Sequence, residues 1–210
     1  MESTSGCMGG DRSGFAQTLD SLKRQGCNLL LVGSRTSKGH ELVCRRLSAL
    51  SSQEPRYRLL VTADSTTHRH GLTRPTETTT IEYATAESNP DGTALGNLGL
   101  EVIDAIDEFE AAADGLEPSE LRVCVDSLVS LLQECETEAV FRLLHVVMSR
   151  TERARGMGHY HLPVSRDHDA VSLFEPMFDA VVELRTDDGV HEQRWHLRDR
   201  EAPTDWIRLE

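Results

Sequence analysis

At 210 residues, with 38% hydrophobic residues arriving in clusters, the chain is long enough for one sizeable domain with its own core and is not composed like a disordered one. No apolar run approaches the ~20 residues of a membrane span. A formal net charge of −13 leaves no cation excess to neutralise a nucleic-acid backbone, which argues against a general DNA binder.

The Ser-, Gly- and Thr-rich start has no basic segment ahead of an apolar one, so residues 1–13 read as a loose tail and not as a signal peptide. A single domain is expected over residues 14–210. Phe15 to Gln25 predicts a short amphipathic helix with Phe15, Leu19 and Leu22 on one stripe. Asn28 to Val32 (NLLLV) is a continuous apolar run, the pattern of a parallel strand buried on both faces. Glu41 to Leu50 predicts a helix and Tyr57 to Ala63 a second strand. Asp64 to Thr78 is polar and reads as a loop, and Thr79 to Ala84 alternates like a third strand.

After the turn signal Asn89-Pro90-Asp91-Gly92, a long helix is predicted from Thr93 to about Ala112, with Leu95, Leu98, Val102, Ile106 and Phe109 at helical spacing. Leu121 to Val125 (LRVCV) is a strand running into Asp126 and Ser127. Two helices follow, a short one from Leu128 and a longer one over Glu136 to Ser149. Met157 to Leu162 is a strand and Asp169 to Met177 is helical. Ala180 to Leu184 and Glu192 to Leu197 form a hairpin around Asp187-Asp188-Gly189, and Trp206 to Leu209 is a last edge strand. Strands alternating with helices imply an α/β fold, a mostly parallel sheet with helices on both faces and a C-terminal antiparallel hairpin.

In such a sheet ligands bind outside the carboxyl ends of the strands, so the loops after Val32 and Val125 are the places to look. The first reads Gly33-Ser34-Arg35-Thr36-Ser37-Lys38-Gly39-His40 between a strand and a helix, the context of a phosphate-binding loop. That motif needs Gly-Lys followed by a hydroxyl that binds Mg2+. Here Lys38 and Gly39 are transposed and His40 holds the hydroxyl position, where imidazole is a poor Mg2+ ligand. The loop therefore reads as a vestigial strand-to-helix turn. The alternative is weak binding of ATP and Mg2+ through Gly33, Ser34, Thr36, Ser37, Lys38 and Gly39, with Asp126 and Ser127 on the neighbouring loop. Asp126 ends a strand as a Walker B carboxylate does, and Asp64 ends the second strand where a general base for water would sit. Both have simpler readings as turn or helix-capping residues.

His159, His161 and His168, with Asp167 and Asp169, gather ligand-type side chains, and His159 and His161 point to one face of their strand. Their spacing matches no standard zinc pattern, and a partly exposed strand edge accounts for the histidines, so no metal site is assigned. The cysteines are Cys7, Cys27, Cys44, Cys124 and Cys135, an odd count with no CxxC pair. Neither a disulfide framework nor a zinc pattern follows. Cys27, Cys44 and Cys124 read as small core residues, and a reducing cytoplasm is the expected compartment. Arg150, Arg153 and Arg155 are a local basic cluster that reads as a solvated helix end.

Only Lys23 and Lys38 are lysines among 22 cations, and acidic residues are abundant. In molar salt the Debye length falls to ~3 Å and an acidic surface repels itself little, so this composition resembles that of proteins from salt-loving archaea. The ordered segments NLLLVGSRTSKGHE, YRLLVTADS, NPDGTALGNLGLEVIDAI, RVCVDSLVSLL, VFRLLHVV, GMGHYHL and LFEPMFDAVVEL resemble the KaiC/RecA-like proteins of haloarchaea, in particular a KaiC-like (halobacterial-transducer-like) family, over about Gln25 to Leu209. The resemblance implies a RecA-type core in which active relatives bind ATP on the phosphate loop, with Asp126 as the Walker B carboxylate. The altered loop puts hydrolysis in doubt. The expected role is a non-catalytic regulatory or signalling protein acting through protein partners or self-association. Alternatives are an unconventional ATPase or nucleotide sensor using Lys38 and Asp126, and a recombination-mediator-like DNA-associated protein, which the charge argues against.

Overall fold

The structure is a computed structural model that describes residues 10–33, 38–48, 57–63, 78–83 and 93–209. Its strands are β1 (Cys27–Gly33), β2 (Tyr57–Thr62), β3 (Thr78–Glu82), β4 (Leu121–Val125), β5 (Met157–Leu162), β6 (Ala180–Asp187), β7 (Val190–Leu197) and β8 (Ile207–Arg208). They form one sheet in the order β3-β2-β4-β5-β1-β6-β7-β8. The first six are parallel to their neighbours, and β7 and β8 add antiparallel strands at one edge. The mixed α/β sheet with a C-terminal antiparallel extension is the architecture the alternating pattern predicts.

The helices are α1 (Gly10–Gln25), α2 (Lys38–Leu47), α3 (Thr93–Ala113), α4 (Leu128–Glu134), α5 (Thr137–Arg153) and α6 (Asp169–Phe174). Right-handed crossovers sort them between the faces. The steps from β3 to β4, β4 to β5 and β5 to β6 all run one way along the sheet. They place α3, α5 and α6 on one face, over a core of Leu30, Val32, Val61, Val123, Val125, Tyr160 and Val181. The step from β1 to β2 runs the other way, so α2 lies on the opposite face. There α1 and α2 pack Phe15, Leu19, Leu22, Leu42, Val43 and Leu47 against Cys27, Leu29, Leu31, Val182 and Trp195.

Helix α1 begins at Gly10, so residues 10–13 belong to a helix and not to the loose tail expected up to residue 13. The apolar stripe starts only at Phe15, and backbone hydrogen bonding carries the helix a turn ahead of it. Helix α2 likewise starts at Lys38 and takes Lys38, Gly39 and His40 out of the loop. The hairpin turns at Asp188 and Gly189, with φ of 46° and 77°, a two-residue turn whose positive dihedrals suit Gly and tolerate Asp.

A candidate metal centre under helix α2

Strands β4 and β5 are neighbours, with Cys124 opposite His159 in register, and Leu29 and Leu31 of β1 flank His159 and His161 on the other side. Strand β5 is therefore central, and His159 and His161 are 1% and 4% exposed. This corrects the reading of these histidines as residues of a partly exposed edge. A period of two turns both rings to the face that α2 covers. From α2, residues four apart turn toward the same face: His40, Cys44 and, one residue past the helix, Ser48.

The two layers meet in a cluster of polar and sulfur atoms. Cys44 Sγ lies 3.6 Å from Cys124 Sγ and 3.5 Å from His159 Nε2. Ser48 Oγ is 3.4 Å from His159 Nε2 and 3.9 Å from Cys44 Sγ. One donor atom from each of Cys44, Cys124, His159 and His161 lies within 4.8 Å of every other, and all four residues are buried. Nearby, Arg58 donates to the Ser48 carbonyl at 2.7 Å and Arg122 donates to Ser119 Oγ and to Met157 Sδ.

His40 Nδ1 is 3.0 Å from His161 Nδ1, and His40 Nε2 is 3.3 Å from the Gly33 carbonyl. Burial, and then the neighbouring His161 ring, lower the His40 pKa to about 4, so it is neutral at pH 7. A carbonyl can only accept, so the His40 proton sits on Nε2 and its Nδ1 accepts from His161. His161 Nε2 is buried and has no hydrogen-bond partner among the described residues. Burial also lowers His159 and keeps its ring neutral.

The thiols divide their roles. The hydrogen bond from Cys124 outweighs burial and, with the imidazoles of His159 and His161 beside it, holds Cys44 well below the ordinary thiol range. Cys124, the donor to Cys44, is pushed well above it by that bond and by burial. Cys27 is a contrast, since burial and then Asp179 push it up to about 12. It is an inert core thiol, as its sequence context predicts. Cys44 and Cys124 are buried as core residues are, and there two sulfurs and two imidazoles converge.

The other predicted site residues separate. Asp126 is half-buried at the end of β4, where Thr62 of β2 donates to its Oδ2 at 3.1 Å and its own N–H bonds the Val61 carbonyl. Ser127 is the N-cap residue of α4, and its carbonyl accepts from Tyr83 Oη. Lys38 is exposed at the first residue of α2, and Gly39 is buried. Gly33 has φ of +140°, and a Cβ there would meet the Leu184 backbone of β6. Ser34, Thr36, Ser37 and Asp64 lie outside the described residues. His168 caps α6, accepting from the Ala170 N–H at 3.1 Å, and both it and Asp169 are exposed. The cluster thus shares only His159 and His161 with the histidine group noted in the sequence. Its other members, Cys44 and Cys124, and its supporting His40, could be found only by adding the four-residue spacing on α2 to the strand register.

Among the described residues no helix is long and apolar enough to cross a membrane. No curated protein matches the sequence. Residues 26–184, the span from β1 through most of β6 that holds the whole Cys/His cluster, match a family of unknown function, DUF7504, and the chain belongs to that family.

Proposed function

We propose that this chain is a RecA/KaiC-like regulatory domain that does not hydrolyse ATP and acts through protein partners. The observation that carries this is the placement of His40. It stands where a phosphate loop needs a hydroxyl for Mg2+. Its two ring nitrogens face His161 and the Gly33 carbonyl, so neither is directed at a nucleotide. Gly33 has a packing reason of its own, the close approach to Leu184, which does not depend on bound phosphate. The ends of β1 and β4 still open on one carboxyl edge, one strand apart, in keeping with descent from a nucleotide-binding fold.

Four large apolar side chains, Leu100, Phe141, Val146 and Leu173, stay exposed on α3, α5 and α6, the helix layer opposite α2. Apolar exposure of this kind supports contact with another protein or a second copy. Free cysteines at positions 27, 44, 124 and 135 favour a reducing cytoplasm, and the acidic, Lys-poor composition favours a halophilic setting.

The test is titration calorimetry of the purified chain with Mg-ATP in molar KCl, with a phosphate-release assay beside it. The expected outcome is no saturable heat up to millimolar ATP and no turnover. Saturation at micromolar ATP that is lost in Lys38→Ala would overturn the reading in favour of a nucleotide sensor. Turnover lost in both Lys38→Ala and Asp126→Ala would make it an ATPase.

A further inference from the structure

We infer that Cys44, Cys124, His159 and His161 form a closed, tetrahedral site for a soft divalent cation, with zinc(II) the ion the donor set fits best. Two thiolates and two imidazoles are a recognised structural zinc set, whereas magnesium and calcium take oxygen. A tetrahedral ion ~2.3 Å from sulfur and ~2.0–2.1 Å from nitrogen sets S···S at roughly 3.8 Å and S···N at roughly 3.6 Å. The Cys44–Cys124 and Cys44–His159 separations are 3.6 and 3.5 Å. The convergence of all four donors within 4.8 Å leaves room for one ion and little else.

A hydrogen-bonded thiol–imidazole network would also bring Cys44 close to Cys124 and His159. It does not account for His161. That residue is 4% exposed, its Nδ1 is engaged by His40, and its Nε2 has no hydrogen-bond partner among the described residues. A buried polar nitrogen left so is costly, and a metal bond removes the penalty. The surroundings also fit a metal centre. A ligating histidine ordinarily gives its second nitrogen to an orienting partner, and His40 fills that role while itself anchored to the Gly33 carbonyl. Ser48 Oγ, 3.9 Å from Cys44 Sγ, is placed to donate to a thiolate. On binding, the Cys44 and Cys124 thiols release their protons, and two thiolates balance a divalent ion, so the buried site is neutral.

All four ligands are protein side chains and all are buried, so the site offers no open coordination position for a substrate and its role is structural. It ties α2 to β4 and β5, joining the phosphate-loop helix to the centre of the sheet. This inference stands apart from the reading of the loop: a chain that bound ATP could still hold the ion.

The test uses the full chain, made in zinc-supplemented medium and purified under reducing conditions, with metal content measured by mass spectrometry and Co2+ as the spectroscopic probe. The expected result is about one zinc per chain. The cobalt form should give the strong visible bands of tetrahedral coordination and a near-ultraviolet sulfur-to-cobalt charge-transfer band. Cys124→Ser and His161→Gln should lose stoichiometric metal, while Cys135→Ser and His168→Ala, outside the cluster, should keep it. His40→Ala should retain a site weakened ~10–100-fold, the usual effect of losing an orienting partner. Zinc well below stoichiometric in the wild-type chain with no tetrahedral cobalt bands would overturn the inference, as would metal retained unchanged in both ligand variants. If a ligand variant does not fold, the wild-type cobalt spectrum decides.

Discussion

Asn28 is a fully buried polar side chain at the start of β1, and every part of it is used. Its amide donates to Glu152 Oε1 at 2.8 Å, its Oδ1 accepts from Tyr160 Oη at 3.1 Å, and its backbone N–H donates to Asp179 Oδ2 at 2.8 Å. Burial raises the Tyr160 hydroxyl far above its ordinary value, so it remains protonated as the donor. The apolar run NLLLV identifies the strand but not the reason an amide begins it. That reason is the junction of β1, β5 and α5. Tyr160→Phe keeps the ring and leaves Asn28 Oδ1 without that donor, so it should lower unfolding stability by about 1–3 kcal/mol in urea titration. A loss below the ~0.5 kcal/mol of an ordinary surface change would mean that Asn28 finds another donor.

Among the elements, the β6–β7 hairpin was the most legible, because Asp-Gly between two alternating strands specifies both turn and register. Its outer strand pair carries a charge cluster that the sequence pattern does not reveal. Glu183 accepts from Arg194 at 2.7 Å and from His196 at 3.0 Å. Partial burial on its own would raise the Glu183 carboxyl, but the hydrogen bonds and charges of Arg194 and His196 outweigh it and hold the carboxyl low. A carboxyl held low when folded adds stability above the unfolded carboxylate value of ~4.3 and loses it as pH falls through the folded one. Wild type should therefore be more stable than Glu183→Gln at about pH 6, and the gap in Tm should close on titration toward about pH 3. A gap that is constant over this range would rule out the ion pair as its source. Helix boundaries were less legible, since α1 and α2 both begin ahead of their apolar stripes.

The whole molecule carries a net charge of −13 against few lysines. Some of its charges are paired: Arg150, taken from sequence for a solvated helix end, lies 2.5 Å from Asp107 and 2.6 Å from Glu110, tying α5 to α3. Pairs whose carboxylates are open to solvent, as these are, each contribute about 0–1 kcal/mol and weaken in salt. Repulsion spread over the acidic surface weakens too, and with so large an imbalance it is the greater effect. Thermal stability should therefore rise between about 0.1 M and about 1 M KCl, as the Debye length shortens from ~10 to ~3 Å. A Tm that falls over this range would show that the ion pairs outweigh the net repulsion.

Periodicity and turn chemistry by themselves determined the α/β class, the strands β1, β4 and β5, the amphipathic helices and the hairpin, because each depends on residues near one another in the chain. The Cys/His cluster was decided only in three dimensions. Its ligands come from α2, β4 and β5, and no linear spacing joins Cys44 to Cys124 or either to His159. Crossover handedness had to place α2 on the face to which His159 and His161 point, and the parallel register had to set Cys124 beside His159. Until then, two cysteines in apolar surroundings and two histidines on a strand looked like unrelated residues.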